Sequence, residues 1–113
     1  MTIIHRRNIL AKVMKKERLA ALYETIAALQ TPEECRQFFE DLCSATELSA
    51  MEQRYQVAEL LLQDKVYLDI LSRTNASTST ISRVKRVLTD GTGVLPEAIL
   101  AHAEKNRSTE ENQ

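Results

Sequence analysis

The sequence contains no tryptophan, few other aromatic residues and few residues that interrupt helices. Its 113 residues include three tyrosines, two phenylalanines, two glycines and two prolines. Because breakers and β-forming aromatic residues are so scarce, the composition favours an all-α fold. The length suits a single domain with a core of modest size.

Long apolar runs are also absent. No stretch approaches the length of a membrane span, and no signal-peptide pattern opens the sequence. We therefore expect a cytoplasmic protein that does not associate with membranes.

The residues of common catalytic and metal sites are sparse. Cys35 and Cys43 lie eight positions apart on one predicted helix, too far for a disulfide within it. No histidine lies near them, so we expect core thiols, no metal site and no cofactor. His5 and His102 are read as surface or packing residues. No nucleophile elbow, Gly-rich phosphate loop or pair of histidine ligands is present, so we expect no catalytic residues and no enzyme activity.

Charge is balanced overall and uneven along the chain. The formal net charge is −1, which by itself argues against DNA binding. His5 to Arg18 nevertheless carries six cations and one acid, Glu24 to Glu52 carries one cation and seven acids, and Arg54 to Leu88 carries six cations and three acids. Basic segments attract polyanions even in a nearly neutral chain. The first segment has two interpretations: contact with DNA flanks, or solvation of a helix end.

The segment from Ala76 to Leu88 has the pattern of the second helix of a helix-turn-helix. Ser77 can cap the helix, and helical spacing predicts a buried face made of Ile81, Val84, Val87 and Leu88. The opposite face carries hydroxyls and then cations: Ser77, Thr78, Ser79, Thr80, Ser82, Arg83, Lys85 and Arg86. Such a face suits base edges and phosphates in a major groove. The alternative is an ordinary charged surface helix, because cations near a helix C-terminus also favour its dipole.

The preceding residues support the motif. Val66 to Arg73 is predicted as a short helix, with Tyr67, Ile70 and Leu71 at helical spacing. Asn75 tolerates the left-handed conformation that ends a helix. Together these elements predict a helix-turn-helix over about residues 66–88.

The remaining segments predict more helices. One runs from Asn8 to Gln30, and a second begins at Pro32 with Thr31 as its cap and Glu34 in a capping box. A third runs to about Gln63, capped by Thr46 or Ser49. Pro96 is expected to open a short final helix through Leu100. Residues 1–105 are predicted as one domain, and residues 106–113 as a disordered tail.

The first predicted helix has a long apolar seam formed by Leu19, Leu22, Ile26 and Leu29. Burial against a second copy of the chain is the simplest way to cover it. The alternative is that the seam packs entirely within one chain.

The order of these helices resembles that of the tryptophan repressor superfamily, and especially of its YerC/YecD-type TrpR-related proteins. The similarity extends from about Leu22 to Leu100. It is carried by the segments Phe38–Cys43, Glu47–Leu48, Gln53–Arg54, Val57–Ala58 and Ala76–Arg86.

The resemblance implies an intertwined homodimer whose two helix-turn-helix units enter successive major grooves. It places Thr78, Ser79, Thr80 and Ser82 at DNA-facing positions. Arg54 and Arg83 match the two arginines that hold the corepressor in the repressor. Val84 stands where the repressor has a glycine that leaves room for the ligand, and Val87 replaces a serine, so the tryptophan corepressor is not expected.

Alternative roles remain open for both arginines: Arg83 can face DNA, and Arg54 can pair with Glu52 or Glu59. We expect a sequence-specific, DNA-binding transcriptional regulator that acts as a homodimer on double-stranded DNA. We expect it to be a repressor. The alternative is a helix-turn-helix retained as a protein-interaction module without DNA binding. Whether a small-molecule effector exists is left open.

Overall fold

The computed structural model describes residues 19–111, with side chains through residue 110. All regular structure in this range is helical, as predicted. The helices are α1 (residues 19–27), α2 (Pro32–Leu42), α3 (Ala45–Leu62), α4 (Tyr67–Thr74), α5 (Thr78–Asp90) and α6 (Val94–Glu111). The basic segment from His5 to Arg18 and the predicted helix upstream of Leu19 lie outside the described residues.

The described residues fall into two compact units, with the boundary after Ser44. In the first unit, none of the described residues is buried, although Leu22, Ile26 and Leu29 are half-buried. The described residues of α1 and α2 therefore form no buried core of their own.

The start of α2 follows the sequence prediction closely. Thr31 caps the helix by accepting a hydrogen bond from the backbone N–H of Glu34 at 3.1 Å, and Pro32 occupies the first helical position. The Glu34 carboxylate accepts from the backbone N–H of Gln30, also at 3.1 Å. It thus reaches one residue beyond the usual capping-box partner.

The second unit is organised around α3, which contacts α4, α5 and α6. Its core consists of the buried residues Val57, Ala58, Leu60, Ile70, Ala76, Ile81, Val84 and Ile99. Ile81 and Val84 are buried as predicted, whereas Val87 is 41% exposed and Leu88 is half-buried. The observed buried face of α5 is therefore narrower than the helical spacing of its apolar residues predicted.

Two helix ends differ from the sequence predictions. Helix α3 begins at Ala45, so Thr46 and Ser49 lie inside it and neither is its cap. Helix α6 begins at Val94, before Pro96, and continues through residues 106–111, which the sequence assigned to a disordered tail. Residues 101–111 contain no glycine or proline and are rich in alanine, glutamate, lysine and arginine, which sustain a helix.

Gly91 ends α5 for a steric reason. Its backbone is extended, with φ −78°, so the left-handed conformation typical of helix-ending glycines is absent. A Cβ at this position would lie 2.4 Å from the carbonyl oxygen of Val87. Only glycine permits that close approach.

Two further features are absent from the described part of the chain. No helix within it has the length and apolarity to cross a bilayer, and no group of three potential metal ligands occurs there. Cys35 and Cys43 are free thiols, and both are half-buried rather than in the core.

Candidate nucleic-acid interface

The candidate interface is built from α4, the turn after it, and α5. Asn75 ends α4 in the predicted left-handed conformation, with φ 54° and ψ 25°, and its backbone N–H bonds to the carbonyl oxygen of Leu71 at 2.9 Å. Ala76 follows and is buried. The sequence prediction of a short helix, a tight turn and a second helix is confirmed.

Thr74 fixes the conformation of this turn from inside. Its hydroxyl donates to the carbonyl oxygen of Ile70 at 2.8 Å and accepts from the backbone N–H of Ala76 at 3.2 Å. Its own carbonyl oxygen accepts a hydrogen bond from the Gln53 side chain, with a distance of 3.0 Å between Gln53 Nε2 and Thr74 O. The turn is thereby held to α3, the central helix of this unit.

Ser77 caps α5, as the sequence predicted. Its Oγ accepts from the backbone N–H of Thr80 at 3.1 Å and donates to Thr80 Oγ1 at 2.9 Å. Ser79 Oγ lies 3.1 Å from Ser77 Oγ. The first turn of α5 thus begins with three hydroxyls joined in one network.

A second contact joins the starts of α4 and α5. The Tyr67 hydroxyl donates to Thr78 Oγ1 at 2.9 Å. Tyr67 is 43% exposed, so this bond lies at the surface. Sequence spacing had placed Tyr67 on the packing face of α4, and its position at the surface beside Thr78 is a correction.

The structure brings the predicted DNA-facing residues together on one side of α5. Those exposed are Ser77, Thr78, Ser79, Ser82, Arg83, Lys85 and Arg86, while Thr80 is half-buried. The helix is about 20 Å long, at 1.5 Å per residue for its 13 residues. Its exposed side therefore offers hydroxyls near the start and cations further along, the arrangement that the sequence predicted.

The cations on this surface are not neutralised by neighbouring acids. Among the described residues, Arg83, Lys85 and Arg86 form no ion pair; the pairs that occur join Arg36 to Glu33 and Glu40, and Arg73 to Asp69. An unpaired surface cation is free to contact a phosphate without first losing an internal partner.

Arg54 and Arg83, the two predicted ligand-binding residues, line the same groove. It has a volume of about 370 Å³ and lies between α3, α5 and the start of α6. The other lining residues are Met51, Tyr55, Val84, Val87 and Leu95. Arg54 forms no ion pair with Glu52 or Glu59 within the described residues, so that alternative role is absent from the structure.

The walls of the groove are mostly apolar. The pKa of Tyr55 is raised above its ordinary value of 10.0, first because burial disfavours the phenolate and second because the Glu59 carboxylate is nearby. The phenol is therefore neutral at physiological pH and can donate a hydrogen bond. The groove combines two cations, this neutral phenol and aliphatic side chains.

Sequence reasoning missed three residues that shape this region. Gln53 and Thr74 hold the turn, and Tyr67 contacts α5. The contacts from Gln53 to Thr74 and from Tyr67 to Thr78 join residues 21 and 11 positions apart, and no spacing rule reveals them. The only sequence signal was a threonine two residues before Ala76, where a side chain can replace a backbone hydrogen bond.

Comparison with known proteins places these features in context. The family described as Trp repressor protein matches residues 17–103. The chain is 42% identical over 78 residues to YerC of Bacillus subtilis (strain 168), an uncharacterized protein, and this match covers 69% of the chain and 75% of YerC. These matches confirm the resemblance drawn from the sequence.

Two solved structures share the fold. A candidate Trp repressor from Staphylococcus aureus superposes with a TM-score of 0.74 at 39% identity, covering 77% of this chain and 87% of that one. A TrpR-like protein from Eubacterium eligens ATCC 27750 gives a TM-score of 0.75 at 35% identity, covering 81% and 95%.

Proposed function

We propose that this chain, which belongs to the Trp repressor family, is a homodimeric, sequence-specific repressor that binds double-stranded DNA through α5. The family is one of helix-turn-helix regulators rather than enzymes. The observation that supports the proposal best is the exposed side of α5, where hydroxyls and unpaired cations project from a helix whose turn is fixed to α3. We also propose that the protein acts in the cytoplasm.

The chemistry of the α5 surface matches the two tasks of a DNA-reading helix. Lys85 and Arg86 are suited to phosphates, which give affinity without sequence information. Thr78 and Ser79 are small enough to approach base edges and can donate or accept hydrogen bonds there. Ser77, Thr80, Ser82 and Arg83 complete the proposed surface.

A second copy of the chain is part of the proposal. None of the described residues of α1 and α2 is buried, and short helices are marginal without a packing partner. Leu19 is 42% exposed on α1 and Leu42 is exposed on α2. A twofold dimer would cover such surfaces and present two α5 helices to successive major grooves.

The dimer can be tested by sedimentation equilibrium. We expect the wild-type protein to sediment as a dimer, and Leu19→Glu to weaken association because it places a charge in an apolar interface. Glu24→Gln, a polar change on the same helix, serves as the control. A wild-type monomer at high micromolar concentration would contradict the dimer.

Tryptophan is not proposed as the effector. Val84 is only 4% exposed and contributes to the wall of the groove that Arg54 and Arg83 line. We expect saturating L-tryptophan to leave the melting temperature unchanged, because only a ligand that binds the folded state raises it. A tryptophan-dependent rise that is lost in Arg54→Ala would show that this expectation is wrong.

The proposed function is tested by selecting preferred sites from a random DNA pool. We expect an enriched site with two half-sites about 10 bp apart, and log affinity that falls linearly with log salt. If no sequence is preferred over random DNA at moderate salt, the proposal fails. A protein partner that remains bound after nuclease treatment would then favour the protein-interaction module instead.

A further inference from the structure

The hydrogen bond between Tyr67 and Thr78 has a direction. Tyr67 is the donor and Thr78 Oγ1 the acceptor, at 2.9 Å. A threonine hydroxyl carries one hydrogen and two lone pairs. With one lone pair occupied by Tyr67, and with no hydrogen bond donated by Thr78 to another described residue, the hydroxyl hydrogen of Thr78 is left for a partner outside the chain.

The hydroxyls of Ser77 and Ser79 form different hydrogen bonds from that of Thr78. Ser77 Oγ donates its only hydrogen to Thr80 Oγ1 at 2.9 Å. Ser79 must therefore be the donor in the 3.1 Å contact between Ser79 Oγ and Ser77 Oγ. Ser79 consequently offers lone pairs to the outside, whereas Thr78 offers a hydrogen.

We propose that Tyr67 is a specificity-determining positioning residue, which favours Thr78 as a hydrogen-bond donor toward a base edge by occupying one of the two lone pairs of its hydroxyl and leaving its hydrogen uncommitted. The inference rests on the proposed function and adds a residue of α4 to the determinants of base preference. Tyr67 acts through Thr78 and needs no contact with DNA.

The base edges of the major groove distinguish a donor from an acceptor. Guanine N7 and O6, adenine N7 and thymine O4 accept hydrogen bonds, whereas the amino groups of cytosine and adenine donate them. A Thr78 hydroxyl held by Tyr67 favours an acceptor over the cytosine amino group, because its hydrogen is uncommitted and only one lone pair remains. Without the tyrosine hydroxyl, both lone pairs are open and the Thr78 hydroxyl rotates freely, so this discrimination weakens.

Tyr67→Phe tests the inference because it removes only the hydroxyl and keeps the half-exposed ring. In site selection from the random pool, we expect discrimination to fall roughly fivefold at one base position per half-site, the effect of one net hydrogen bond. Thr78→Val should weaken discrimination at the same position. The double variant should show no further loss, since the two residues act as a unit.

Two controls separate this effect from a general one. Thr78→Ser keeps the hydroxyl and should keep the base preference. Tyr23→Phe removes a tyrosine hydroxyl from α1 and should select the same site as the wild type. Melting temperatures of all variants show whether each is folded.

The outcomes distinguish this inference from the function on which it rests. A wild-type protein without a preferred site defeats both. If the wild type selects a site and Tyr67→Phe selects it with undiminished preference, only the role of Tyr67 is wrong. A uniform loss of affinity across all sequences, or additive effects in the double variant, also overturns that role.

Discussion

Gln53 on α3 donates a hydrogen bond to the carbonyl oxygen of Thr74, with 3.0 Å between Nε2 and O. The two residues are 21 positions apart, and their contact joins the central helix of the unit to the turn of the helix-turn-helix. The direction of α5 relative to α3 therefore depends on a side chain outside the motif.

Replacing Gln53 with leucine should destabilise the fold. The Thr74 carbonyl would lose its side-chain partner in a partly buried position, at a cost of about 1 kcal/mol in the free energy of unfolding. Urea denaturation measures this loss, with Gln56→Leu, at an exposed position of α3, as the matched control. Equal stability of the two variants would show that the hydrogen bond contributes nothing.

Removing the cap of α5 should also lower stability. Ser77→Ala leaves the backbone N–H of Thr80 without its side-chain acceptor, and we expect a loss of about 1 kcal/mol. Ser77→Asp keeps an acceptor at a helix N-terminus and should retain most of the stability. Thermal denaturation gives the comparison, with Ser72→Ala on the exposed side of α4 as control. A Ser77→Ala protein as stable as that control would refute the role of the cap.

The two cations late in α5 should act on all DNA sequences alike. Lys85→Ala and Arg86→Ala are each expected to weaken binding uniformly and to reduce the slope of log affinity against log salt by about 1. Lys105→Ala, on α6, should leave the slope unchanged. A variant that alters which bases are preferred would instead assign the residue to base recognition.

The raised pKa of Tyr55 predicts a pH dependence. Above about pH 10, the unfolded chain ionises this tyrosine while the folded chain still holds its proton, so the free energy of unfolding should fall with rising pH. The effect is small, because the side chain is 40% exposed. Tyr55→Phe should show a shallower decline in urea denaturation between pH 8 and 11, whereas Gln56→Leu, which removes no ionisable group, should follow the wild type. Identical declines in all three proteins would contradict the assignment.

Features governed by neighbouring residues were accessible from the sequence. Thr31, Ser77 and Asn75 each act within three or four positions of their partners, so capping rules identified them correctly. The helix-turn-helix itself follows from two short amphipathic patterns and the turn between them. Helical periodicity also predicted that the hydroxyls and cations of α5 lie on its exposed side.

Features that depend on packing between helices were not accessible. Val87 has the spacing of a buried residue, yet α3 and α6 leave a groove beside it, and Tyr67 lies next to Thr78 rather than in the core. The helical conformation of residues 106–111 was not predicted, because their polar composition was taken for disorder although several of them are good helix formers.

The order of residues alone therefore decided where α2 and α5 begin, where α4 ends and which side of α5 carries polar groups, because hydrogen bonds across one turn and helical periodicity are local. The family resemblance had already paired Arg54 with Arg83, but only the folded arrangement decided that Gln53 holds the turn and that Tyr67 contacts the hydroxyl of Thr78. Those relationships arise when α4 and α5 pack on α3, which brings together side chains that no interval along the chain connects.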